Sequence, residues 1–252
     1  MRGTRKTRPH TATKKASSER HEPGWRSELK NQDLREEVAR IAQRLISSGL
    51  VTGTSGNVSA RTPKGEVLIT PSGVDYETLS SDDVVLVDLD TNILEGYLEP
   101  SSETPMHTGI YRTRPEVDAI VHTHSLFATT LSCLGWEIPS VHYMLTTLSK
   151  DGRVPIAPYV TYGTEELADY VSEVLGQSRN ACLLQNHGAI TVGESAEKAF
   201  SRTVTLEEMA EIYYRSRLAG EPILLSSEQV EEVANKISSY GQPKPRKEPE
   251  EN

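Results

Sequence analysis

Apolar and polar residues alternate along this chain at two spacings, which predicts helices interleaved with strands. The helical spacing first appears in an apolar series that a glycine closes: Leu34, Val38, Ile41, Leu45 and Gly49. Similar patterns predict further helices over 104–114, 125–134, 164–175, 195–219 and 226–240. Shorter apolar runs bounded by Gly, Pro and Asp predict strands over 57–61, 66–70, 83–89, 117–124, 181–185 and 189–192.

The order of these elements predicts a layered α/β or α+β domain. The first three strands follow one another with no helix between them, so we expect an antiparallel or mixed sheet and not a doubly wound parallel one. Ser125 is a predicted N-cap, and Ser226 with Gln229 resembles a capping box. The 252 residues contain no internal linker, which favours a single large domain.

Charge is distributed unevenly along the chain. The formal net charge is −9, yet residues 1–20 carry seven basic side chains and one acidic, so that segment is +6 and the remainder −15. An acidic body argues against nucleic acid as a partner. The basic start has no apolar core of a secretory signal and no apolar face of a transit peptide, so we predict a disordered extension over 1–24. A charged, proline-containing tail over 242–252 is predicted to be disordered too.

Cysteine content and hydropathy bear on the cellular setting. Cys133 and Cys182 are the two cysteines, both in apolar surroundings, which predicts reduced, buried thiols in a cytoplasmic protein. The apolar runs are only a few residues long, so no membrane association is expected.

Three histidines carry the clearest chemical signal. His122 and His124 stand two apart in an apolar run, so both point to one face of a strand. His187 follows a second apolar run, and three neutral imidazoles with a position left open are typical of a catalytic metal site. Two hydrogen-bonded core histidines are the alternative. Glu103, just before a predicted helix, would be a fourth ligand or a base, or simply a glutamate favoured by the helix dipole.

Small polar residues form two loops, over 53–57 and 70–73, and Ser101 and Ser102 add two hydroxyls. Backbone N–H groups and hydroxyls of this kind bind phosphate without Arg or Lys. Each loop alone would equally suit an ordinary turn.

Ordered motifs over residues 34–241 resemble those of the class II, metal-dependent sugar-phosphate aldolases of the L-fuculose-1-phosphate aldolase group, which also includes L-ribulose-5-phosphate 4-epimerase. The motifs lie at 53–59 (GTSGNVS), 69–73 (ITPSG), 100–103 (PSSE), 121–124 (VHTH), 138–144 (IPSVHYM), 157–159 (APY) and 184–188 (LQNHG). Several motifs in one order are far more specific than the histidine pair alone.

The resemblance implies a three-layer α/β/α single domain over 25–241 with a mixed, largely antiparallel sheet. It implies reversible aldol cleavage of a ketose 1-phosphate, such as L-fuculose 1-phosphate, to dihydroxyacetone phosphate and an aldehyde. The expected assembly is a homotetramer with active sites at subunit interfaces and one Zn²⁺ per subunit, another divalent ion being the alternative. The implied metal ligands are Glu103, His122, His124 and His187; the phosphate-binding residues are Thr54, Asn57, Ser72, Gly73, Ser101 and Ser102; the catalytic residues are Glu103, Tyr143 and Tyr240.

Related chemistries stay open on the same metal site. A 4-epimerase usually has Asp where this chain has Glu103, which favours the aldolase. A methylthioribulose-phosphate dehydratase would use the metal to eliminate water. An adducin-like binding protein would be expected to lack the metal ligands, and all three histidines are present here. Ser72 stands where the fuculose enzyme typically has Thr, and Asn186 where a His is common, so the sugar itself is left open.

Overall fold

The computed structural model describes residues 29–237, and the predictions for 1–24, for Tyr240 and for 242–252 lie outside that range. The described helices are α1 Gln32–Ser47, α2 Thr104–Thr113, α3 Leu126–Leu134, α4 Glu165–Leu175, α5 Ala196–Ala219 and α6 Ser227–Ile237. The strands are β1 Asn57–Arg61, β2 Val67–Ile69, β3 Val85–Val87, β4 Ile93–Glu95, β5 Ala119–Thr123, β6 Ile156–Ala157, β7 Ala181–Leu184 and β8 Gly188–Gly193. Short 3-10 helices cover Ser81–Asp83 and Tyr143–Thr147.

The strands form one eight-stranded sheet in the order β4-β3-β2-β1-β5-β8-β7-β6. Every neighbouring pair is antiparallel except β6 and β7, which are parallel, so the expected mixed, largely antiparallel sheet is confirmed. Strand β5 lies between β1 and β8, and its His122 is opposite Asn57 on one side and Ile190 on the other. Residues from three distant parts of the chain therefore meet at the end of this central strand.

Helices cover both faces of the sheet, which confirms the three-layer α/β/α arrangement. The apolar faces of α1, α3 and α5 pack on one side, with Val58 and Ala60 of β1 beneath α1. Helices α2 and α4 pack on the other side, around Ile110 and Val171. Because side chains alternate along β1, Ser59 points to the α2 side, where a polar cluster replaces the apolar contacts.

All six predicted helices are present, while some strand predictions were incomplete. The structure adds β4 and β6, which are two or three residues long and too short to produce an alternating pattern. The predicted strand over 83–89 is shorter, because Asp83 belongs to a 3-10 turn that it caps by accepting from Ser80 N–H at 2.7 Å. The capping box of α6 forms in both directions, from Ser226 N–H to Gln229 and from Gln229 N–H to Ser226.

Burial and hydropathy bear on the cysteines and on the helices. Both cysteines are free thiols, but only Cys182 is buried; Cys133 is exposed on α3, so the prediction of two buried thiols was wrong for that residue. Among residues 29–237, no helix combines the length and apolar character needed to cross a bilayer.

Candidate metal centre and active site

The candidate metal ligands meet at one end of the sheet. His122 lies in β5, His124 follows that strand, His187 is in the turn between β7 and β8, and Glu103 immediately precedes α2. One nitrogen or oxygen from each of the four side chains lies within 4.8 Å of the others. The three imidazole rings are 4.8–5.1 Å apart between centroids and are steeply inclined to one another. The fold thus brings together four residues that the sequence separates by up to 84 positions.

The turn that carries His187 depends on its neighbours. Asn186 has φ 53°, in the left-handed region that Asn adopts more readily than most residues, and His187 N–H closes the turn onto Leu184 O at 3.0 Å. Gly188 follows, and a Cβ at that position would collide with the Thr123 carbonyl oxygen. Close contact between β8 and β5 is therefore what sets His187 beside His124.

The donor set fits a divalent cation. His122 Nδ1 lies 3.0 Å from Ala189 O and must donate to it, because a carbonyl only accepts. In neutral His122 the lone pair is then on Nε2, which faces His124 Nε2 at 3.0 Å and Glu103 Oε2 at 2.9 Å. Glu103 Oε1 is buried, lies 3.2 Å from His187 Nε2 and has no hydrogen-bond partner. Several lone pairs converging without protons between them are the arrangement that a metal ion satisfies.

Electrostatics keep Glu103 and His124 in the ionisation states that a metal requires. Burial favours the neutral carboxyl of Glu103, but positive charge on the neighbouring His122 and His187, when these rings carry a second proton, outweighs burial and holds its pKa well below the ordinary value. Burial, together with His122 and His187, lowers the pKa of His124 to about 4. Near neutral pH the site therefore combines a carboxylate with a neutral imidazole at position 124, the forms that bind metal.

Asn57 holds Glu103 from the other side. Its amide Nδ2 donates to Glu103 Oε2 at 3.0 Å, and its Oδ1 lies 2.5 Å from His107 Nε2. The sequence predicted Asn57 as a phosphate-binding residue; the structure places it on the cavity wall with both ends of its amide engaged by protein groups. His107 is a fully buried hydrogen-bonding residue.

A cavity of about 260 Å³ opens beside the ligands. Its wall contains the six predicted phosphate-binding residues together with Glu103, His124 and His187. Within the described residues, no Lys or Arg lines this cavity, so an anion there would rely on N–H groups, hydroxyls and a cation. Tyr162, which the sequence analysis did not single out, also lines the cavity and is largely exposed.

Backbone hydrogen bonds hold the cavity loops together. Ser101 N–H donates to Thr70 O at 3.1 Å, and Ser72 N–H donates to Glu99 O at 3.0 Å. The buried Tyr76 hydroxyl donates to Gly56 O at 2.7 Å, which ties the 53–57 loop to the same region. The hydroxyl-bearing segments at 53–57, 70–73 and 101–102 therefore form one wall and are not three independent turns.

Comparison with known proteins decides the family. A model of the family described as Class II Aldolase and Adducin N-terminal domain matches residues 36–214. The chain belongs to this family. A 5-deoxy-D-ribulose 1-phosphate aldolase of Bacillus thuringiensis serovar kurstaki is 42% identical over 212 residues, which is 84% of this chain and 98% of that relative. An L-fuculose phosphate aldolase of Haemophilus influenzae is 39% identical over 211 residues, 81% of this chain and 96% of that relative.

The fold agrees with solved class II aldolases. A structure described as L-fuculose 1-phosphate aldolase matches with a TM-score of 0.78 and 36% identity, covering 82% of this chain and 96% of that chain. The chain is a class II aldolase, an enzyme of the carbon–carbon lyase type, and its family is metal-dependent. The four-residue cluster is the metal-binding candidate that this dependence requires.

Of the two predicted catalytic tyrosines of this class II aldolase, Tyr143 lies in the described part of the chain, and it stands apart from the cavity. Tyr143 is in the 3-10 helix over Tyr143–Thr147, is 50% exposed and stacks against His142 at 4.6 Å between ring centroids. It lines an apolar groove with Val233 and Ile237 of α6, and it does not line the cavity that contains the metal ligands. Tyr240 lies outside the described residues.

Helix α3 is capped by Glu207, a residue that no local sequence pattern indicates. Ser125 was predicted to cap this helix, and it occupies the N-cap position, but its side chain accepts no capping bond. Its hydroxyl instead donates to Glu207 of α5 at 2.7 Å, and Glu207 accepts from the N–H groups of Phe127 and Ala128 at 2.7 and 2.9 Å. A carboxylate from a distant helix thus holds the segment directly after His124.

Proposed function

We propose that this class II aldolase reversibly cleaves a ketose 1-phosphate to dihydroxyacetone phosphate and an aldehyde. The observation that carries the proposal is the convergence of three imidazoles and the partnerless Glu103 Oε1 at a cavity that hydroxyl-bearing loops also line. A metal donor set beside an anion-binding surface suits a substrate with a carbonyl near a phosphate. Similarity to a 5-deoxy-D-ribulose 1-phosphate aldolase and to an L-fuculose phosphate aldolase supports the same class of substrate.

In this proposal His122, His124 and His187 hold one Zn²⁺ per subunit, and Glu103 would be a further ligand when no substrate is bound. Nitrogen and carboxylate donors suit zinc, and three imidazoles leave positions open for substrate oxygens. When bound, the cation supplies Lewis-acid polarisation of the substrate carbonyl.

Glu103 is the proposed acid–base residue. In the condensing direction its carboxylate removes a proton from the dihydroxyacetone phosphate carbon, and in cleavage it returns that proton. Oxygen Oε2 already accepts from Asn57, whereas Oε1 has no hydrogen-bond partner, so Oε1 is the oxygen available for this transfer.

In this proposal the phosphate binds to the wall formed by the segments at 53–57, 70–73 and 101–102, which we call the phosphate wall. Thr54, Ser72 and Ser102 are exposed at the cavity and offer hydroxyls, and Gly73 leaves its backbone accessible there. Ser101 is buried and accepts from Glu103 N–H at 3.2 Å, so it links the phosphate wall to the base. The N-terminus of α2 begins beside these residues and favours a negative charge.

A homotetramer with active sites between subunits is part of the proposal. Tyr143 is assigned to exchange a proton with the aldehyde oxygen in a neighbouring subunit's site, and Tyr240 to assist it. Support comes from the position of Tyr143, which is half exposed and does not line its own chain's cavity. If this is so, dilution to monomers abolishes activity without unfolding the chain, whereas monomers with full specific activity would remove Tyr143 from the mechanism.

The substrate to test first is 5-deoxyribulose 1-phosphate, because a 42% identical relative bears that name; L-fuculose 1-phosphate is second. Epimerase and dehydratase chemistry have no observation of their own in their favour. The test is release of dihydroxyacetone phosphate from a panel of ketose 1-phosphates, before and after chelation and with zinc added back. Release that stops on chelation and returns with zinc supports the proposal. Bound zinc with no release from any panel member contradicts it.

A further inference from the structure

A buried chain of polar side chains leads from α2 through β1 to the carboxylate of Glu103. Tyr111 hydroxyl lies 2.8 Å from Ser59 Oγ, and Ser59 Oγ lies 2.6 Å from His107 Nδ1. His107 Nε2 lies 2.5 Å from Asn57 Oδ1, and Asn57 Nδ2 lies 3.0 Å from Glu103 Oε2. All five residues are buried, and the first four are not metal ligands. We call this chain the Tyr111–Glu103 relay.

The direction of every hydrogen bond in the relay follows from its last member. A carboxylate only accepts, so Asn57 must present its NH₂ group to Glu103 and its carbonyl oxygen to His107. His107 must then carry its proton on Nε2, which leaves a lone pair on Nδ1 for the Ser59 hydroxyl. The Ser59 hydroxyl donates its single proton to His107 Nδ1, so its oxygen accepts from the Tyr111 hydroxyl. Each donor thus has one acceptor, and the alternative orientation of Asn57 would set its carbonyl oxygen against the carboxylate.

The ionisation of the relay residues agrees with this order. Burial, aided by His122, lowers the pKa of His107 to about 3, so the ring is neutral and has one donor and one acceptor nitrogen. Burial raises the pKa of the Tyr111 hydroxyl, which therefore stays protonated and able to donate.

We propose that His107 is a positioning residue for the aldol reaction, which through Asn57 fixes Glu103 with Oε2 occupied and Oε1 free. This inference rests on the proposed role of Glu103 as the base. Because both oxygens of a carboxylate are chemically alike, only their surroundings can make one of them the proton acceptor. The hydrogen bond from Asn57 occupies Oε2 of Glu103. The hydrogen bond from His107 to Asn57 Oδ1 prevents the Asn57 side-chain amide from turning over and exchanging its oxygen and nitrogen.

The structural part of the proposal is tested by NMR on the zinc-loaded protein. The His107 ring should be the Nε2–H tautomer, and one Asn57 side-chain amide proton should be shifted downfield and exchange slowly with solvent. Leucine removes the Nε2–H donor, so His107→Leu should abolish that shift, whereas His107→Gln retains an amide donor at the same reach and should preserve it. Ile110→Val, a buried change on the same helix outside the relay, is the matched control. An Nδ1–H tautomer, or unchanged Asn57 resonances in His107→Leu, would overturn the relay.

The functional part is read from steady-state kinetics and zinc content. We expect His107→Leu to lower kcat at least tenfold with KM within twofold and one zinc per chain retained. His107→Gln should recover kcat to within about threefold of the wild type, a rescue that a purely structural role would not give. A kcat for His107→Leu equal to that of Ile110→Val would contradict the proposal.

A second variant, and separate readouts for the proposed function and the positioning role, make the result interpretable. If His107→Leu does not fold, Tyr111→Phe removes the first donor of the relay and should shift the same Asn57 resonance by a smaller amount; no shift would count against the relay. Failure of the proposed function is seen separately, as a wild-type protein that cleaves no ketose 1-phosphate. Failure of the positioning role is seen as an active wild type with an equally active His107→Leu variant.

Discussion

Gly188 lies so close to Thr123 that a Cβ on residue 188 would overlap the Thr123 carbonyl oxygen, and it would also come within 2.9 Å of His124 Cδ2. Strands β5 and β8 therefore pack at a distance that only glycine permits. This contact lies beside His124, which follows β5, and His187, which precedes β8. A methyl group must push the strands apart or rotate the His124 ring. We expect Gly188→Ala to weaken zinc binding at least tenfold, measured by competition with a chromogenic chelator.

Gly220→Ala is the control for that substitution. Gly220 has extended backbone at φ 165° and no atoms near the position of a Cβ, so the same chemical change should be tolerated. Zinc affinity of Gly188→Ala within twofold of both the wild type and this control would show that the contact between the strands is not needed for the site.

Glu207 is expected to stabilise the segment between His124 and α3. It accepts hydrogen bonds from Ser125 and from two backbone N–H groups that would otherwise be unsatisfied at the start of the helix. Loss of a helix cap costs about 0.5–2 kcal/mol, so we expect Glu207→Ala to lower the free energy of unfolding by about 1–2 kcal/mol in urea titrations. Glu208→Ala, at the exposed neighbouring position, should change it by less than about 0.5 kcal/mol. Equal effects of the two variants would mean that the α3 cap is energetically unimportant.

How much of the site the sequence predicts depends on how local each signal is. The shared face of His122 and His124 follows from the period of a strand, and Glu103 from its place before a helix, so these residues could be selected without a structure. The meeting of His187 with them could only be hypothesised, because it needs β5 and β8 to be neighbours. The family resemblance supplied that missing pairing.

Contacts between distant residues escaped the sequence for the same reason. Serine is a common N-cap residue, so the local pattern predicted Ser125 as the cap of α3. Glu207, 82 positions away, instead accepts from the Ser125 hydroxyl and from the N–H groups of Phe127 and Ala128. The pairing of Ser59 with His107 and Tyr111 spans 48 and 52 positions, and nothing in the local pattern of either segment indicates it. Likewise, no helical or strand periodicity marks Tyr162, which lies in a loop whose side-chain direction only the fold defines.

Stability should depend on pH through His107. Its pKa is about 3 in the folded protein, against an ordinary value of 6.5, and burial is the main cause. The pKa of His107 is lower in the folded than in the unfolded protein. Between pH 6.5 and 3, His107 is therefore protonated in the unfolded chain and neutral in the folded chain. The stability that neutral His107 provides is therefore complete above pH 6.5 and is lost as pH falls towards 3, by about 1.4 kcal/mol per pH unit.

The measurement is the free energy of unfolding at pH 7 and pH 5, in the metal-free protein, for the wild type and for His107→Gln. Glutamine does not titrate, so the variant should lose less stability over this interval, by about 2 kcal/mol. Parallel losses in the two proteins would show that His107 is not held neutral by the fold.

Replacing Glu103 by glutamine separates metal binding from proton transfer. The side chain of the Glu103→Gln variant keeps an oxygen that can accept from Asn57, and the three histidines remain, so the variant should still bind close to one zinc per chain. An amide cannot take a proton from carbon, so kcat for release of dihydroxyacetone phosphate should fall by about 10²–10⁴-fold, the usual effect of losing a general acid–base group.

Glu99→Gln is the control, because it removes the same charge from an exposed position beside the phosphate wall. Only the backbone carbonyl of Glu99 contacts Ser72, so the kcat of this variant should stay within twofold of the wild type. Full activity of the zinc-loaded Glu103→Gln protein would remove Glu103 from proton transfer, whereas loss of zinc would show that its main role is as a ligand.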